Sequence, residues 1–240
     1  MKGASPMKRV LVMVLAMLTL LGAARAVTPA TPVHFCGDYV YILLDDGGAE
    51  IVCWDGEETD LMVPGTLDGH PVVSVSECAF ADCRALRTVV LPEGVRAIGD
   101  EAFAGCTRLS RVTLPQGLET LGGMAFDHCE GLTQIALPAT LREMGTNPFV
   151  DCANLCAIDV PAACAAFYTV DGVLFSRGDQ RLVCYPMGLW TDSYAVPEGT
   201  VTIGARAFEQ GIFLERVDLP ASMATIEDGA FNGCAALSLP

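Results

Sequence analysis

The stretch PEGVRAIGDEAFAGCTRLSRVTL, from Pro92 to Leu114, is followed at once by PQGLETLGGMAFDHCEGLTQIAL, from Pro115 to Leu137. The two stretches agree at their apolar positions, at an Ala-Phe dipeptide and at the cysteine that follows it. A fixed period of roughly 20 to 50 residues is typical of a solenoid, in which each coil packs only on its neighbours. The repeat therefore predicts the architecture more strongly than any local helix or strand pattern does.

The repeat continues from Val63 to Pro240, and each full unit reads P-x-x-h-x-x-h-G-x-x-A-F-x-x-C-x-x-L-x-x-h-x-h, where h is aliphatic. The alternation at the end of each unit predicts a short strand, and stacked units would place these strands in a parallel sheet. The A-F-x-x-C-x-x-L segment has apolar residues at a spacing that suits one or two helical turns. We therefore expect an α/β repeat: a right-handed solenoid with a parallel sheet on one face and short helical turns on the other.

Two segments depart from the repeat. Asp45-Asp46-Gly47-Gly48 joins two β-favouring runs, which predicts a β-hairpin, and we interpret residues 27–62 as an N-terminal cap. After Pro161 the period is lost, and two strand-like runs flank the sequence Arg177 to Gln180. This predicts an irregular hairpin insertion at about residues 162–196, within a solenoid of residues 63–240.

The N-terminus has the three parts of a secretory signal peptide. Basic residues precede the apolar run VLVMVLAMLTLL, from Val10 to Leu21, and Ala24-Arg25-Ala26 provides a small-x-small cleavage site. We expect cleavage after Ala26 and a secreted or cell-surface protein. A retained membrane anchor is the alternative, although twelve apolar residues are few for a span.

The charge balance excludes some partners. Fourteen Lys and Arg residues face 29 Asp and Glu residues, so the formal net charge is -15. Phosphate backbones and anionic membranes would repel such a body, so we expect no nucleic-acid partner and no membrane contact after signal cleavage.

The sequence offers few residue patterns that are typical of a disulfide, a metal site or a catalytic site. Five of the eleven cysteines recur with the repeat, and we interpret these five as small buried hydrophobes. Among the others, Cys36 and Cys53 are the first pair to test for a disulfide. We expect no metal and no cofactor, because the three histidines are scattered and no close C-x-x-C pair is present. With no nucleophile-elbow or phosphate-binding motif either, we expect no enzyme.

The combined pattern L-x-x-V-x-L and I-G-x-x-A-F-x-x-C-x-x-L resembles the leucine-rich repeats of the BspA-like family of bacterial surface proteins, over about Val63 to Pro240. The resemblance implies a right-handed leucine-rich-repeat solenoid, export, and a role in adhesion or in binding host proteins. It implies no catalytic site.

Candidate binding residues are those that do not repeat. On the expected sheet they flank the central aliphatic residue of each strand: Thr88, Val90, Arg111, Thr113, Gln134, Asp159, Arg216 and Asp218. The insertion hairpin supplies a second set, Arg177, Asp179 and Gln180, because loops on a rigid scaffold often carry binding.

We therefore expect a protein ligand, such as a host protein or a protein on a neighbouring cell. The alternative is a structural spacer that stacks on another chain through its open C-terminal coil.

Overall fold

The computed structural model describes residues 31–238, so the signal peptide expected at residues 1–26 lies outside the described part of the chain. The described residues form short strands joined by turns. In chain order the strands are β1 (Val33–Cys36), β2 (Tyr39–Leu43), β3 (Ala49–Trp54), β4 (Asp60–Met62), β5 (Thr66–Leu67), β6 (His70–Val75), β7 (Thr88–Val90), β8 (Ala97–Ile98), β9 (Arg111–Thr113), β10 (Thr120–Leu121), β11 (Gln134–Ala136), β12 (Glu143–Met144), β13 (Ala157–Asp159), β14 (Phe167–Val170), β15 (Val173–Ser176), β16 (Arg181–Cys184), β17 (Ser193–Ala195), β18 (Thr202–Ile203), β19 (Arg216–Asp218) and β20 (Thr225–Ile226).

One side of the solenoid carries a sheet that the repeat pattern did not predict. Its strands run in the order β1-β2-β3-β6-β8-β10-β12, with β5 paired to β6, and we call it the long sheet. The predicted hairpin is present as β2 and β3, and β3 continues into the coils by pairing in parallel with β6. The coil strands of this sheet are only two residues long after β6, which is too short for an alternating pattern to be read.

The strands that the repeat did predict pair in parallel, as expected, but in three separate groups. We call these groups the short ladders: β4-β7-β9, β11-β13 and β17-β19. The central residues Val89, Val112 and Ile135 of the first two ladders are buried, whereas Tyr194 and Val217 of the third are half-buried.

The prediction of short helical turns at A-F-x-x-C-x-x-L is wrong, since residues 31–238 contain no α-helix and only one 3₁₀ turn, Met187–Leu189. In most coils the residue directly before this segment and a residue within it both have a positive φ, such as Met124 at 52° and His128 at 53°, and a right-handed helix cannot continue through them. The backbone N–H groups bond to the next coil instead: Phe103 N donates to Ala125 O at 2.8 Å. The third side of the solenoid is therefore a stack of turns.

The repeated phenylalanines form the centre of the core. Phe80, Phe103, Phe126 and Phe149 stack with ring centroids 4.9 to 5.8 Å apart and ring planes within 8° of parallel. A second stack contains Tyr185, Phe208 and Phe231. Trp54 of the hairpin packs on Phe80 at 5.8 Å, so the hairpin closes one end of the first stack.

All eleven cysteines, which lie within the described residues, are free. Cys36 and Cys53 lie on β1 and β3, which flank β2, so two inter-strand spacings put them beyond the reach of a disulfide. The repeated cysteines pack in the core or at its margin, and each of four thiols donates to a phenylalanine carbonyl of the preceding coil. These bonds run from Cys106 to Phe80, Cys129 to Phe103, Cys152 to Phe126 and Cys234 to Phe208, at 3.0 to 3.3 Å.

The insertion divides the core in two. The predicted hairpin is present as β15 and β16, with β14 as a third antiparallel strand. Leu174 and Val183 pack into the core of the N-terminal coils, whereas Phe175 and Leu182 pack into the core of the C-terminal coils. The meander therefore acts as a partition with two apolar faces.

Candidate functional site

In each short ladder the candidate residues lie on the exposed side of the strands. We call the exposed sides of the three ladders together the strand face. Thr88 pairs with Arg111 and Val90 with Thr113 across β7 and β9. The other four lie on separate ladders: Gln134 and Asp159 on β11 and β13, and Arg216 and Asp218 on β19. Thr88 and Val90 are half-buried and the other six are exposed. The structure thus brings the eight residues onto equivalent positions without joining them in one ladder.

Two strands of the short ladders were missed by the sequence analysis, because they lie outside the recognisable repeat. β4 places Asp60 beside Thr88, and the Thr88 hydroxyl donates to the Asp60 carboxylate at 2.7 Å. This bond and one from Thr59 hold the pKa of Asp60 below its ordinary value. β17 adds Ser193 beside Arg216. The strand face therefore extends one strand further at β4 and at β17 than the repeat indicated.

The charges on this surface are mixed and exposed. Arg216 forms an ion pair with Asp218 on the same strand, with N and O atoms 2.9 Å apart. Exposed pairs of this kind add little stability, so both side chains can exchange this contact for one with a ligand at low cost.

The insertion hairpin presents its candidate residues on a different sheet, the one with the order β14-β15-β16-β18-β20. The Arg177 guanidinium lies 4.6 Å from the ring centre of Tyr168, as a cation–π contact. Asp179 accepts hydrogen bonds from Ser176 and Arg181. Burial pushes the pKa of Asp179 upward, but these two bonds and the charge of Arg181 outweigh it, so the pKa lies below the ordinary value.

A histidine between two carboxylates was also missed by the sequence analysis. Asp127, His128 and Asp151 each place one possible metal-ligand atom within 4.8 Å of the others, and among the described residues they form the only such group. His128 Nδ1 lies 2.9 Å from Asp127 Oδ2, and Nε2 lies 3.5 Å from Asp151 Oδ2. Both ring nitrogens therefore face carboxylates, while the other oxygen of Asp127, Oδ1, is buried and has no hydrogen-bond partner among the described residues. His128 and Asp151 share the positive-φ position two residues after the repeated phenylalanine, so alignment of the repeats was the signal that could have brought them together.

We expect the His128 imidazole to titrate above its ordinary pKa of about 6.5, because it is hydrogen-bonded to Asp127 and close to the charges of Asp151 and Glu130. The bonded form is the protonated one. The contribution of His128 to the free energy of unfolding is therefore complete below the unfolded pKa and is lost as pH rises through the folded pKa.

An NMR titration of the histidine ring measures this directly. Asp127→Asn should lower the pKa of His128 more than Asp151→Asn does, because the Asp127 bond is the largest cause of the shift. A pKa at or below the ordinary value in the unmodified protein would contradict the assignment.

Within residues 31–238 no helix is both long enough and apolar enough to cross a membrane. The family described as BspA type leucine rich repeat region matches the sequence in six copies, over residues 70–172 and 191–239. No curated protein matches the sequence.

Three solved structures share the fold. The leucine rich repeat protein of T. pallidum is 28% identical with a TM-score of 0.53, and the alignment covers 88% of this chain and 90% of that one. A leucine-rich repeat protein from Eubacterium ventriosum is 20% identical with a TM-score of 0.57, covering 85% and 64%. The pneumococcal vaccine antigen PcpA is 19% identical with a TM-score of 0.54, covering 88% and 70%. The last two likenesses concern the fold alone.

Proposed function

Because the chain belongs to the BspA type leucine-rich-repeat family, we propose that it binds another protein through the strand face and catalyses no reaction. The observation that carries the proposal is the alternation along the short ladders. Val112 and Ile135 are fixed in the core, whereas Arg111 and Gln134 beside them point outward and differ from coil to coil. A rigid scaffold with variable outward residues is the arrangement in which side chains can specify a ligand.

The protein acts outside the cell in this proposal, either secreted or held at the surface. The basic and apolar start of the sequence supports export, and the resemblance to bacterial surface proteins supports a host protein or a protein of a neighbouring cell as the ligand. The net charge of -15 repels a strongly acidic ligand at long range, whereas the exposed Arg111 and Arg216 favour acidic groups at the contact itself. The insertion hairpin, with Arg177, Asp179 and Gln180, is a second surface available to it.

A second candidate function is assembly with another chain through the last described coil. Ile226 occupies the position that Ile98, Leu121 and Ile203 hold in earlier coils, yet it is 49% exposed while those three are buried. A stacked chain would cover this apolar surface. Such assembly would make the mass of the purified protein rise with concentration in light scattering, whereas binding through the strand face predicts a constant mass.

We expect a triple variant of the strand face, Arg111→Glu with Gln134→Ala and Arg216→Glu, to lose binding by at least about tenfold, because charge reversal in an interface opposes the partner's own charges. The measurement is capture from a solubilised extracellular-matrix extract and from surface proteins of neighbouring bacteria, quantified against the unmodified protein.

The matched control is Arg84→Glu with Arg108→Glu, which reverses two exposed arginines that lie outside the strands. The control should retain full capture. Equal capture by all three proteins, or capture by none, would contradict a role for the strand face.

A further inference from the structure

The hydrogen-bonded stacking of the long sheet stops in the middle of the chain. Strands β6, β8 and β10 each pair with a strand on both sides, whereas β12 pairs only with β10 among the described strands. The next coil of the chain sits elsewhere, because β16 pairs with β15 and β18 instead. The outer edge of β12 therefore faces a gap.

The gap is an open cleft of about 470 Å³ between β12 and the insertion hairpin. Gly145 and Thr146 follow β12 and are exposed, whereas the equivalent Gly122 and Gly123 of the preceding coil are buried. Met144, Phe167 and Val183 give the cleft an apolar part. A coil end is thus uncovered at this point, although several coils follow in the sequence.

One position of the repeat differs in the coil that follows β12. The residue that follows β8, β10 and β12 comes close to the backbone of the coil before it: a Cβ on Gly122 would lie 2.3 Å from the Gly99 carbonyl carbon, and one on Gly145 would lie 2.2 Å from Gly123 N. The strand register puts Val183 at the same position in the coil of β16, since Leu182 pairs with Ile203, which precedes Gly204. Val183 carries a branched side chain at this position, and its coil pairs with β18 and not with β12.

The edge of β12 keeps the hydrogen-bonding groups that a further strand would use. Ile98 O accepts from Gly122 N at 2.8 Å, and Leu121 O accepts from Gly145 N at 2.9 Å. Met144 is the next residue in this register, but its carbonyl accepts no such bond from any described residue. The same holds for Arg142 O, whose counterpart Glu119 O accepts from the following coil.

We propose that this cleft binds an extended peptide segment of a partner protein, which adds to β12 as a parallel strand and carries an aliphatic residue followed by glycine. This inference deepens the proposed function and depends on protein binding as the role of the chain. The glycine N–H donates to Met144 O, and the absence of a Cβ allows it to approach Gly145. The aliphatic side chain packs against Met144, Phe167 and Val183. Strand addition of this kind takes affinity from the backbone and specificity from alternate side chains.

The strands of the chain itself indicate which peptide would fit the cleft, because four of them end in an apolar residue that is followed by glycine. These pairs are Ile98-Gly99, Leu121-Gly122, Met144-Gly145 and Ile203-Gly204. These strands are occupied in the solenoid. β20 ends the second sheet, but its Glu227 N already donates to Ile203 O at 3.0 Å, so that edge of the strand is not free to donate to Met144 O. A second copy of the chain is therefore a poorer occupant than a glycine-bearing segment of another protein.

The test uses the peptide GVRAIGDE, a copy of residues 94–101, titrated into the purified protein by calorimetry. We expect a dissociation constant below about 1 mM. Replacing the glycine of the peptide by valine, or methylating its nitrogen, should each weaken binding by roughly tenfold or more, since the first change blocks the approach and the second removes the donor to Met144 O.

Two protein variants locate the site. Gly178 lines the cleft, and a Cβ there meets no atom within 4 Å, so Gly178→Trp should fill the cleft and weaken peptide binding at least about tenfold. Gly65 is equally open and lies outside the cleft, so Gly65→Trp is the matched control and should bind as the unmodified protein does.

Absence of binding at millimolar peptide, equal binding of the valine peptide, or binding unaffected by Gly178→Trp would each overturn the inference. The strand-face experiment involves none of these residues. A failure of the peptide test therefore does not contradict binding through the strand face, and a failure of the strand-face test does not contradict peptide binding in the cleft.

Discussion

Phe126→Ala should lower the free energy of unfolding by about 3 to 5 kcal/mol, the usual loss for removing a fully buried aromatic ring. The ring is completely buried and stacks on Phe103 at 5.3 Å and on Phe149 at 5.8 Å. Removing it opens a cavity between two coils at once. Because each coil is supported only by its neighbours, the loss cannot be shared with distant parts of the solenoid. Denaturant unfolding followed by circular dichroism measures the change.

Phe231→Ala is the matched control, since the same ring is removed at the end of a stack. Phe231 is only partly buried and stacks on Phe208 alone, at 4.9 Å. Its loss should stay below about 3 kcal/mol, in proportion to the smaller apolar area that it covers. An equal loss of unfolding free energy in the two variants would show that stacking on both sides of the ring adds nothing to stability.

Gly122→Ala should cost about 3 kcal/mol or more, although it adds a single methyl group. The new Cβ would lie 2.3 Å from the Gly99 carbonyl carbon and 2.4 Å from Asp100 N. Both are backbone atoms and cannot turn aside as a flexible side chain would. The two coils must separate, which lengthens the bond from Gly122 N to Ile98 O, now 2.8 Å. Thermal and denaturant unfolding should both report the loss.

Gly65→Ala separates this steric effect from the general effect of removing a glycine. A Cβ on Gly65 meets no atom within 4 Å, and the residue has no positive φ. The variant should therefore be neutral or more stable by up to about 1 kcal/mol, because alanine lowers the entropy of the unfolded chain. A similar loss in the two variants would mean that the close approach of the coils is not the cause.

The repeated apolar positions could be predicted from the sequence because their role is the same in every coil. Phe103, Cys106 and Leu109 recur at a constant step, and a residue that recurs in this way must face a recurring environment. The exposed positions of the strand face followed from the same alternation, as at Arg111 and Thr113 beside buried Val112. Whether they bind a partner stays a prediction.

The turns could not be distinguished from helices in the same way. The apolar spacing of A-F-x-x-C-x-x-L fits either structure, and the deciding feature is a positive φ at residues such as Glu101 and Met124. Neither residue type favours that conformation locally. The stacked hydrogen bonds between coils impose it, and such bonds have no counterpart along the sequence.

The cleft was hidden for a related reason. Val183 takes the position of a glycine in the coil that follows the cleft, and the repeat is too degenerate around β15 and β16 for that alignment to be made from residue types. Only the strand register identifies the position. The cluster of Asp127, His128 and Asp151 differs from the cleft, because the repeat alignment already places His128 and Asp151 at the same position of adjacent coils.

The buried thiols also make the protein simple to label. Burial raises the pKa of Cys83 and of Cys106 to about 12, so these side chains form little of the reactive thiolate at neutral pH. Cys156 is the exposed member of the eleven cysteines and comes directly before β13, at the margin of the strand face. A maleimide fluorophore should therefore attach there first, on the unmodified chain, at a place where its emission responds to a ligand docking nearby.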